Sequence, residues 1–131
     1  MQKQLSWLLF AAFALTALSA CKKNTEENDT NPPVISITSP AENAAIAGAV
    51  SITGKVTDES LHELTIKVTR DADNVELYTQ APTVHDLTEY DIAYSWTPAG
   101  ISAETAVTLT VTAEDHSSHV VTQTVKFTVK P

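Results

Sequence analysis

The sequence predicts an all-β fold, a seven-stranded antiparallel β-sandwich that follows an export signal. After residue 21, apolar side chains alternate with Ser, Thr or Lys in short runs, and no run repeats every 3.6 residues as a helix would. Turn-forming residues separate the runs at a regular spacing, which is typical of sandwiches. Strict alternation gives each strand one apolar and one solvated face, as in antiparallel sheets, and threonine on the solvated faces favours strands over helices.

Seven runs carry this alternation. Ser39-Pro40 ends the first run, Asp58-Glu59-Ser60 the second, and Thr97-Pro98-Ala99-Gly100 the fifth. In the fifth run the aromatic residues share the parity of an isoleucine, so we expect them in the core rather than on a sugar-binding surface; they are Tyr90, Tyr94 and Trp96. The predicted strands cover residues 34–38, 50–57, 64–69, 75–79, 90–96, 107–113 and 121–129.

Composition excludes several classes of protein. The 131 residues allow one ordinary domain, and a hydrophobic content of 43% is too high for a disordered chain. A formal net charge of −8 argues against a nucleic-acid partner, which requires a basic face. One cysteine excludes an internal disulfide framework and a multi-cysteine zinc site, and three glycines exclude a glycine-rich phosphate loop.

Residues 1–20 have the organisation of an export signal. Lys3 precedes a nearly continuous apolar segment, 5–18, which is too short to span ~30 Å of hydrocarbon comfortably. The sequence Leu18-Ser19-Ala20-Cys21 resembles the lipobox of bacterial lipoproteins. That resemblance implies cleavage before Cys21 and acylation of this residue, whose acyl chains would hold the protein on a membrane. An ordinary secretory signal or an uncleaved N-terminal anchor is the alternative.

Residues 21–33 are predicted to be an acylated cysteine and a disordered tether. After Cys21 the segment has no aliphatic or aromatic side chain to bury, and twelve flexible residues reach roughly 20 Å. Its acids, Glu26, Glu27 and Asp29, resemble the acidic surface-export signal of Bacteroidota lipoproteins. We therefore expect an outer-membrane protein on either membrane face, with its folded domain at residues 34–131.

Three segments carry a resemblance to bacterial immunoglobulin-like (Ig-like) domains. They are residues 31–40 (NPPVISITSP), 52–58 (ITGKVTD) and 111–115 (VTAED). The family often begins P-x-V-x-I-x-x-P, carries G-x-V-x-D on its second strand, and has V-x-A-x-D-x-x-G-N before its last. Short single-domain lipoproteins of Bacteroidota are also similar over residues 31–130. The resemblance implies a fibronectin III- or cadherin-like sandwich, although Ser118-His119 stand where the family has Gly-Asn.

In such a sandwich the seven strands are lettered A, B, C, C′, E, F and G, and sheets A-B-E and G-F-C-C′ face each other. The B–C, C′–E and F–G loops then gather at one end with all four histidines of the chain. Imidazoles beside carboxylates suit zinc, copper or nickel, while carboxylates alone suit calcium, which cadherin-like domains bind near such loops. Ordinary solvated loop residues are the alternative. The candidate metal ligands are His62, His85, His116, His119, Asp58 and Asp115.

No catalytic residues are predicted. Asp58, Ser60 and His62 have the residue types of a catalytic triad, but neighbours on one loop cannot form the required line of nucleophile, base and orienting acid. The adjacent acids Asp58-Glu59 and Glu114-Asp115 point apart, unlike a glycosidase pair.

We therefore expect a lipid-anchored, non-catalytic binding or assembly module of the cell envelope. Its partner would be an envelope protein or a glycan, which it would meet with its loop end or with the predicted edge strands A and C′. No cofactor is expected apart from the divalent metal of a second interpretation, a metal-binding lipoprotein. A small hydrolase is the third.

Overall fold

The computed structural model describes residues 29–131, so the predicted export signal and Cys21 lie outside the described residues. Within residues 29–131 the chain forms eight strands, and it has no helix long and apolar enough to cross a membrane. The strands are β1 (Val34–Ser39), β2 (Ala45–Ala47), β3 (Val50–Thr57), β4 (Leu61–Arg70), β5 (Glu76–Gln80), β6 (Glu89–Trp96), β7 (Thr105–Asp115) and β8 (Val120–Lys130).

The strands form two sheets, which confirms the predicted all-β sandwich. One sheet has the order β1-β3-β6 and the other has the order β2-β8-β7-β4-β5. Strands β1, β3, β4, β5, β6, β7 and β8 therefore occupy the positions A, B, C, C′, E, F and G. As expected, β1 and β5 are edge strands; β2 and β6 are the other two edges. Every pairing is antiparallel except that of β2 with β8, which is parallel.

The predicted number of strands, seven, is one too few because β2 was not recognised. Strand β2 has only three residues, Ala45–Ala47, in an alanine-rich segment without the alternation that marks the other strands. Pairing with the end of β8 holds it in place, since Ala45 faces Thr128 and Ala47 faces Lys130. The chain thus leaves one sheet after β1 and joins the other, a change that local sequence pattern does not encode.

The core lies between the sheets and is built by the predicted alternation. In β7 every second residue is buried: Val107, Leu109, Val111, Ala113 and finally Asp115. Full burial of each large aliphatic side chain contributes about 1.5–3 kcal/mol. The same parity that builds the apolar core therefore carries a carboxylate inward at the end of β7.

The aromatic residues of β6 face the core, as expected. Trp96 is buried, and the half-buried Tyr90 and Tyr94 pack against the core. Their hydroxyl oxygens are 2.7 Å apart. Burial, together with the hydrogen bond to Tyr90, raises the pKa of Tyr94 to about 12. These rings are part of the sandwich interior and its margin, not an open platform.

We predict that Gly54→Ala destabilises the domain by about 1–3 kcal/mol, because a Cβ at this position would collide with the backbone carbonyl oxygen of Ser36 on β1. The glycine of the G-x-V-x-D motif thus permits the close approach of β1 to β3. Urea unfolding of the full chain measures the change. Ser51→Ala, an exposed position on the same strand, should alter stability by less than about 0.5 kcal/mol. Equal effects of the two substitutions would contradict this explanation.

Candidate functional site

Three connecting segments meet at one end of the sandwich, as the strand order requires. They are residues 58–60, 81–88 and 116–119, which we call the loop end together with the strand residues that adjoin them. Main-chain hydrogen bonds join these segments: Leu61 N–H donates to Leu87 O (2.9 Å), Asp86 N–H to Leu61 O (2.9 Å), and His116 N–H to Ser60 O (3.2 Å). The backbone of the loop end is therefore held by the fold itself.

A β-bulge brings the first histidine to the loop end. In the pairing of β4 with β7, Leu61 faces Asp115 and Glu63 faces Glu114, so His62 is an additional residue without a partner on β7. Bulges of this kind redirect a side chain and are frequent beside functional sites. The bulge also explains why alternation begins only at Leu64 and why the predicted strand began three residues late.

Three imidazoles converge beside this bulge, and we call them the histidine cluster: His62, His85 and His116. The Nδ1 atoms of His62 and His85 are 3.2 Å apart. The ring centroid of His116 lies 4.7 Å from that of His62 and 4.5 Å from that of His85. One ring nitrogen of each residue lies within 4.8 Å of the other two, and all three side chains are partly exposed to solvent.

Carboxylates surround the outer side of the histidine cluster. Asp86 Oδ1 is 3.0 Å from His116 Nε2, and its Oδ2 is 3.6 Å from His85 Nε2. Glu63 Oε1 is 4.0 Å from His62 Nε2. Asp86 has a backbone φ of 64°, in the left-handed region that an aspartate tolerates better than most residues. This conformation places one carboxylate against two of the three rings.

The fourth histidine has a different role. The backbone N–H of His119 donates to Asp115 Oδ1 (2.8 Å), and its ring Nδ1 is 2.6 Å from Asp115 Oδ2. Ser118 adopts a left-handed φ of 66°, the conformation for which a glycine would ordinarily be used. The Ser118-His119 departure from the Gly-Asn pattern therefore keeps the tight turn and adds a side chain that covers Asp115.

Among residues 29–131, Asp115 is the charged residue that is buried, with 1% of its surface exposed. Burial alone would raise the pKa of this carboxyl. The hydrogen bonds from the His119 backbone and ring, with the ring's positive charge, outweigh that effect and lower the pKa below its usual value. The ionised carboxylate is therefore the stable form in the folded protein.

A second group, of carboxylates, lies at the same end. Oxygens of Asp29, Asp58 and Asp115 lie within 4.8 Å of one another. Burial raises the pKa of Asp58, and the charges of Asp29 and Asp115 raise it further, although its Oδ1 accepts a hydrogen bond from Ser60 N–H (2.8 Å). Oxygen ligands in this arrangement are of the kind that calcium prefers.

The six candidate ligands therefore fall into two groups rather than one site. The structure brings together the imidazoles of the histidine cluster, while Asp58 and Asp115 join Asp29 and His119 contacts Asp115. The predicted ligands did not include Asp29, which lay in the predicted tether, or Asp86, although the sequence placed Asp86 with His85 in the C′–E loop at this end. The only signal for Asp86 was its position directly after His85.

Comparison with known proteins identifies the family. The family profile described as bacterial Ig-like domain (group 3) matches residues 12–131, nearly the whole chain. The chain belongs to the bacterial Ig-like domain family. No match was found among curated proteins.

The crystal structure of an engineered protein resembles this Ig-like domain with a TM-score of 0.53 and 20% sequence identity. The similarity covers 76% of this chain and 20% of the engineered protein, so the chain spans about one fifth of that protein's length. At this identity the likeness supports the fold alone.

Ig-like domains of this family typically bind or assemble rather than catalyse. The residues with the types of a triad are used otherwise here: Ser60 N–H donates to Asp58, and the Nδ1 of His62 faces His85. Within residues 29–131, no hydrogen bond joins Ser60 to His62.

We predict that Asp115→Asn lowers the free energy of unfolding at pH 7 by about 1.5–3 kcal/mol, the usual value of hydrogen bonds to a buried charge. The folded carboxyl has a lowered pKa, so its contribution is present above the unfolded value of about 3.9 and disappears as the pH falls through the folded value. Chemical unfolding of the Ig-like domain between pH 7 and pH 3 measures this dependence.

The asparagine variant should lose that part of the acid dependence. Glu114→Gln, at the preceding residue, provides the control and should keep both the stability and its pH profile. A variant at position 115 with an unchanged profile would show that Asp115 does not stabilise the F–G hairpin.

Proposed function

We propose that this Ig-like domain is a lipid-anchored, non-catalytic binding or assembly module of the bacterial outer membrane, which meets its partner with the loop end. Family membership supports a binding module. The lipobox-like sequence Leu18-Ser19-Ala20-Cys21 supports an acylated anchor, and the acids Glu26, Glu27 and Asp29 support export toward the outer membrane. The partner class is an envelope protein or a glycan.

The positions of the exposed apolar side chains favour the loop end as the surface that binds the partner. Among the described residues, four large hydrophobic side chains are exposed: Val34, Val75, Leu87 and Val120. Three of them lie at the loop end, since Val34 opens β1 opposite Thr57 and Val120 opens β8 opposite Glu114. Interaction sites are marked by exposed apolar residues that together form a patch rimmed by polar ones, and we propose that these three residues supply the apolar part of such a patch. Edge strand β5 offers a second route, the addition of a partner strand.

The point at which the N-terminal segment joins the domain supports a membrane-proximal loop end. Asn31 Nδ2 is 3.5 Å from Glu59 Oε1, and the oxygens of Asp29 lie beside those of Asp58. A chain anchored through Cys21 therefore enters the domain at the loop end. In this arrangement the partner would bind on the side of the domain that faces the membrane.

We predict that Cys21→Ser abolishes membrane anchoring, because serine has no thiol for the diacylglycerol. Fractionation of cells and detergent partitioning of the full chain measure the membrane-bound share, and mass spectrometry measures acyl chains. Asn24→Ser, three residues further along, should remain bound to membranes. Membrane association that persists in the Cys21→Ser chain would contradict lipid anchoring and favour an uncleaved N-terminal anchor.

We predict that Leu87→Asp reduces binding of the anchored protein to its envelope partner about tenfold, since a charge would replace an apolar contact. Quantitative cross-linking on isolated membranes measures this binding. Val75→Asp is a matched control because Leu87 is 41% exposed and Val75 is 43% exposed at the opposite end of the sandwich. A larger loss of binding with Val75→Asp would show that the binding surface lies at the opposite end and would contradict this proposal.

Metal binding is the second candidate function, and one observation favours it. Imidazoles from three separate segments of the chain approach within ligand-sharing distance at the loop end. Three imidazoles that share one region of the surface, with ring nitrogens facing one another, have the ligand type and spacing that a transition-metal ion requires.

A further inference from the structure

We infer that His62, His85 and His116 together bind one divalent transition-metal ion of the zinc, nickel and copper class. This assignment deepens the second candidate function by naming three ligands among the six candidates. It does not depend on lipid anchoring or on the partner.

The spacing of the ring nitrogens fits such an ion. Tetrahedral zinc with nitrogen ligands at 2.0–2.1 Å separates those nitrogens by about 3.3 Å. The Nδ1 atoms of His62 and His85 already stand 3.2 Å apart. One nitrogen of His116 lies within 4.8 Å of nitrogens of both, so a movement of about 1.5 Å completes three ligands. Rotation of a partly exposed side chain supplies that movement.

The carboxylate of Asp86 lies where it can orient two of the three rings. In metal sites, the imidazole nitrogen that does not bind the ion usually donates to a carboxylate, which fixes the tautomer and makes the ligand more basic. Asp86 faces the Nε2 atoms of His116 (3.0 Å) and His85 (3.6 Å). With Nε2 directed toward Asp86, Nδ1 is the atom of His85 that faces the cluster, in agreement with the 3.2 Å between Nδ1 of His62 and Nδ1 of His85. Asp86 is therefore a positioning residue.

Strand pairing and main-chain hydrogen bonds fix the backbone positions of the three proposed ligands. His62 stands on a β-bulge of β4, His85 precedes Asp86, whose N–H is bound to Leu61 O, and His116 N–H is bound to Ser60 O. Ligands on such fixed segments lose little conformational freedom on binding. An ion would also connect three segments that are distant in sequence, so it should stabilise the folded state.

The nitrogen ligands limit the ion to the transition metals. Three imidazoles suit zinc, nickel or copper, whereas calcium and magnesium require oxygen ligands. A groove of about 280 Å³ lies between β4 residues 62–65 and segment 81–85, and His62 and His85 line it. This opening gives water or a partner's side chain access to a fourth coordination position. Asp115 of the neighbouring carboxylate group is already bound by His119.

Titration of the full chain, purified without a histidine tag and carrying Cys21→Ser to remove the thiol, tests the assignment. Isothermal calorimetry with zinc, nickel, copper and calcium measures stoichiometry and affinity. We expect one equivalent of each of the first three ions, with a rise in melting temperature of several degrees, and no response to calcium. Failure of all three transition metals to bind would overturn both the site and the second candidate function.

Variants locate the site. His62→Ala, His85→Ala and His116→Ala should each weaken zinc binding by about 100-fold, and Asp86→Asn by about 10–100-fold. His119→Ala removes a histidine from the same end and should change the affinity less than about threefold. Metal-free circular dichroism shows which variants are folded. Loss of binding in His119→Ala, or unchanged binding in His85→Ala, would place the ion elsewhere and overturn this ligand set, although metal binding itself would stand.

Magnetic resonance of the imidazole rings provides a test that needs no variant at the ligands. Zinc should shift the ring signals of three of the four histidines and leave His119 unchanged. A shift of His119 in place of one of the three would overturn the assignment.

Discussion

The pairing of β4 with β7 is the constraint on which the rest of the structure depends. It joins β7, the central strand of the larger sheet, to its neighbour β4 over residues 107–115 and 61–70, and the inward residues of both strands fill the middle of the core. The same pairing ends at the loop end, where Leu61 faces Asp115. Stability and the candidate site therefore share one hydrogen-bonded ladder, and a change that loosens this ladder would affect both.

At the loop end, Asp115 and the histidine cluster differ in burial and in the hydrogen-bond partners of their polar atoms. Asp115 is buried and satisfied by His119, so it stabilises the hairpin and contributes a fixed negative charge. The histidine cluster is open to solvent, and its rings contact one another with carboxylates only on their outer side. A buried charge with its partners is typical of structural support, whereas an exposed group of converging imidazoles has nitrogen atoms that remain accessible from solvent.

Much of the fold was predictable because alternation with a period of two depends on burial of one strand face. The seven strands follow from that pattern, whereas their order in two sheets and the gathering of four histidines at one end follow from the resemblance to Ig-like domains. Strand β2 was missed because three residues among alanines have no such pattern. The burial of Asp115 could have been predicted from the sequence, since this residue continues the alternation of the buried residues Val107, Leu109, Val111 and Ala113.

The division of the site into two groups could not be predicted in this way. It depends on side-chain directions that the left-handed residues Asp86 and Ser118 determine, and on local hydrogen bonds rather than on periodicity. The position of Asp29 beside Asp58 depends on how the chain approaches β1, which the composition of the preceding segment does not reveal.

The bulge at His62 has a consequence for how such a site can arise. Leu61 and Glu63 face consecutive residues of β7, so a chain without residue 62 would form an ordinary pleated strand with every core side chain still facing inward. His62 is thus one residue more than the regular pairing of β4 with β7 needs. A one-residue change of length at this point would remove or supply one imidazole of the histidine cluster while the strands that carry the core keep their pairing.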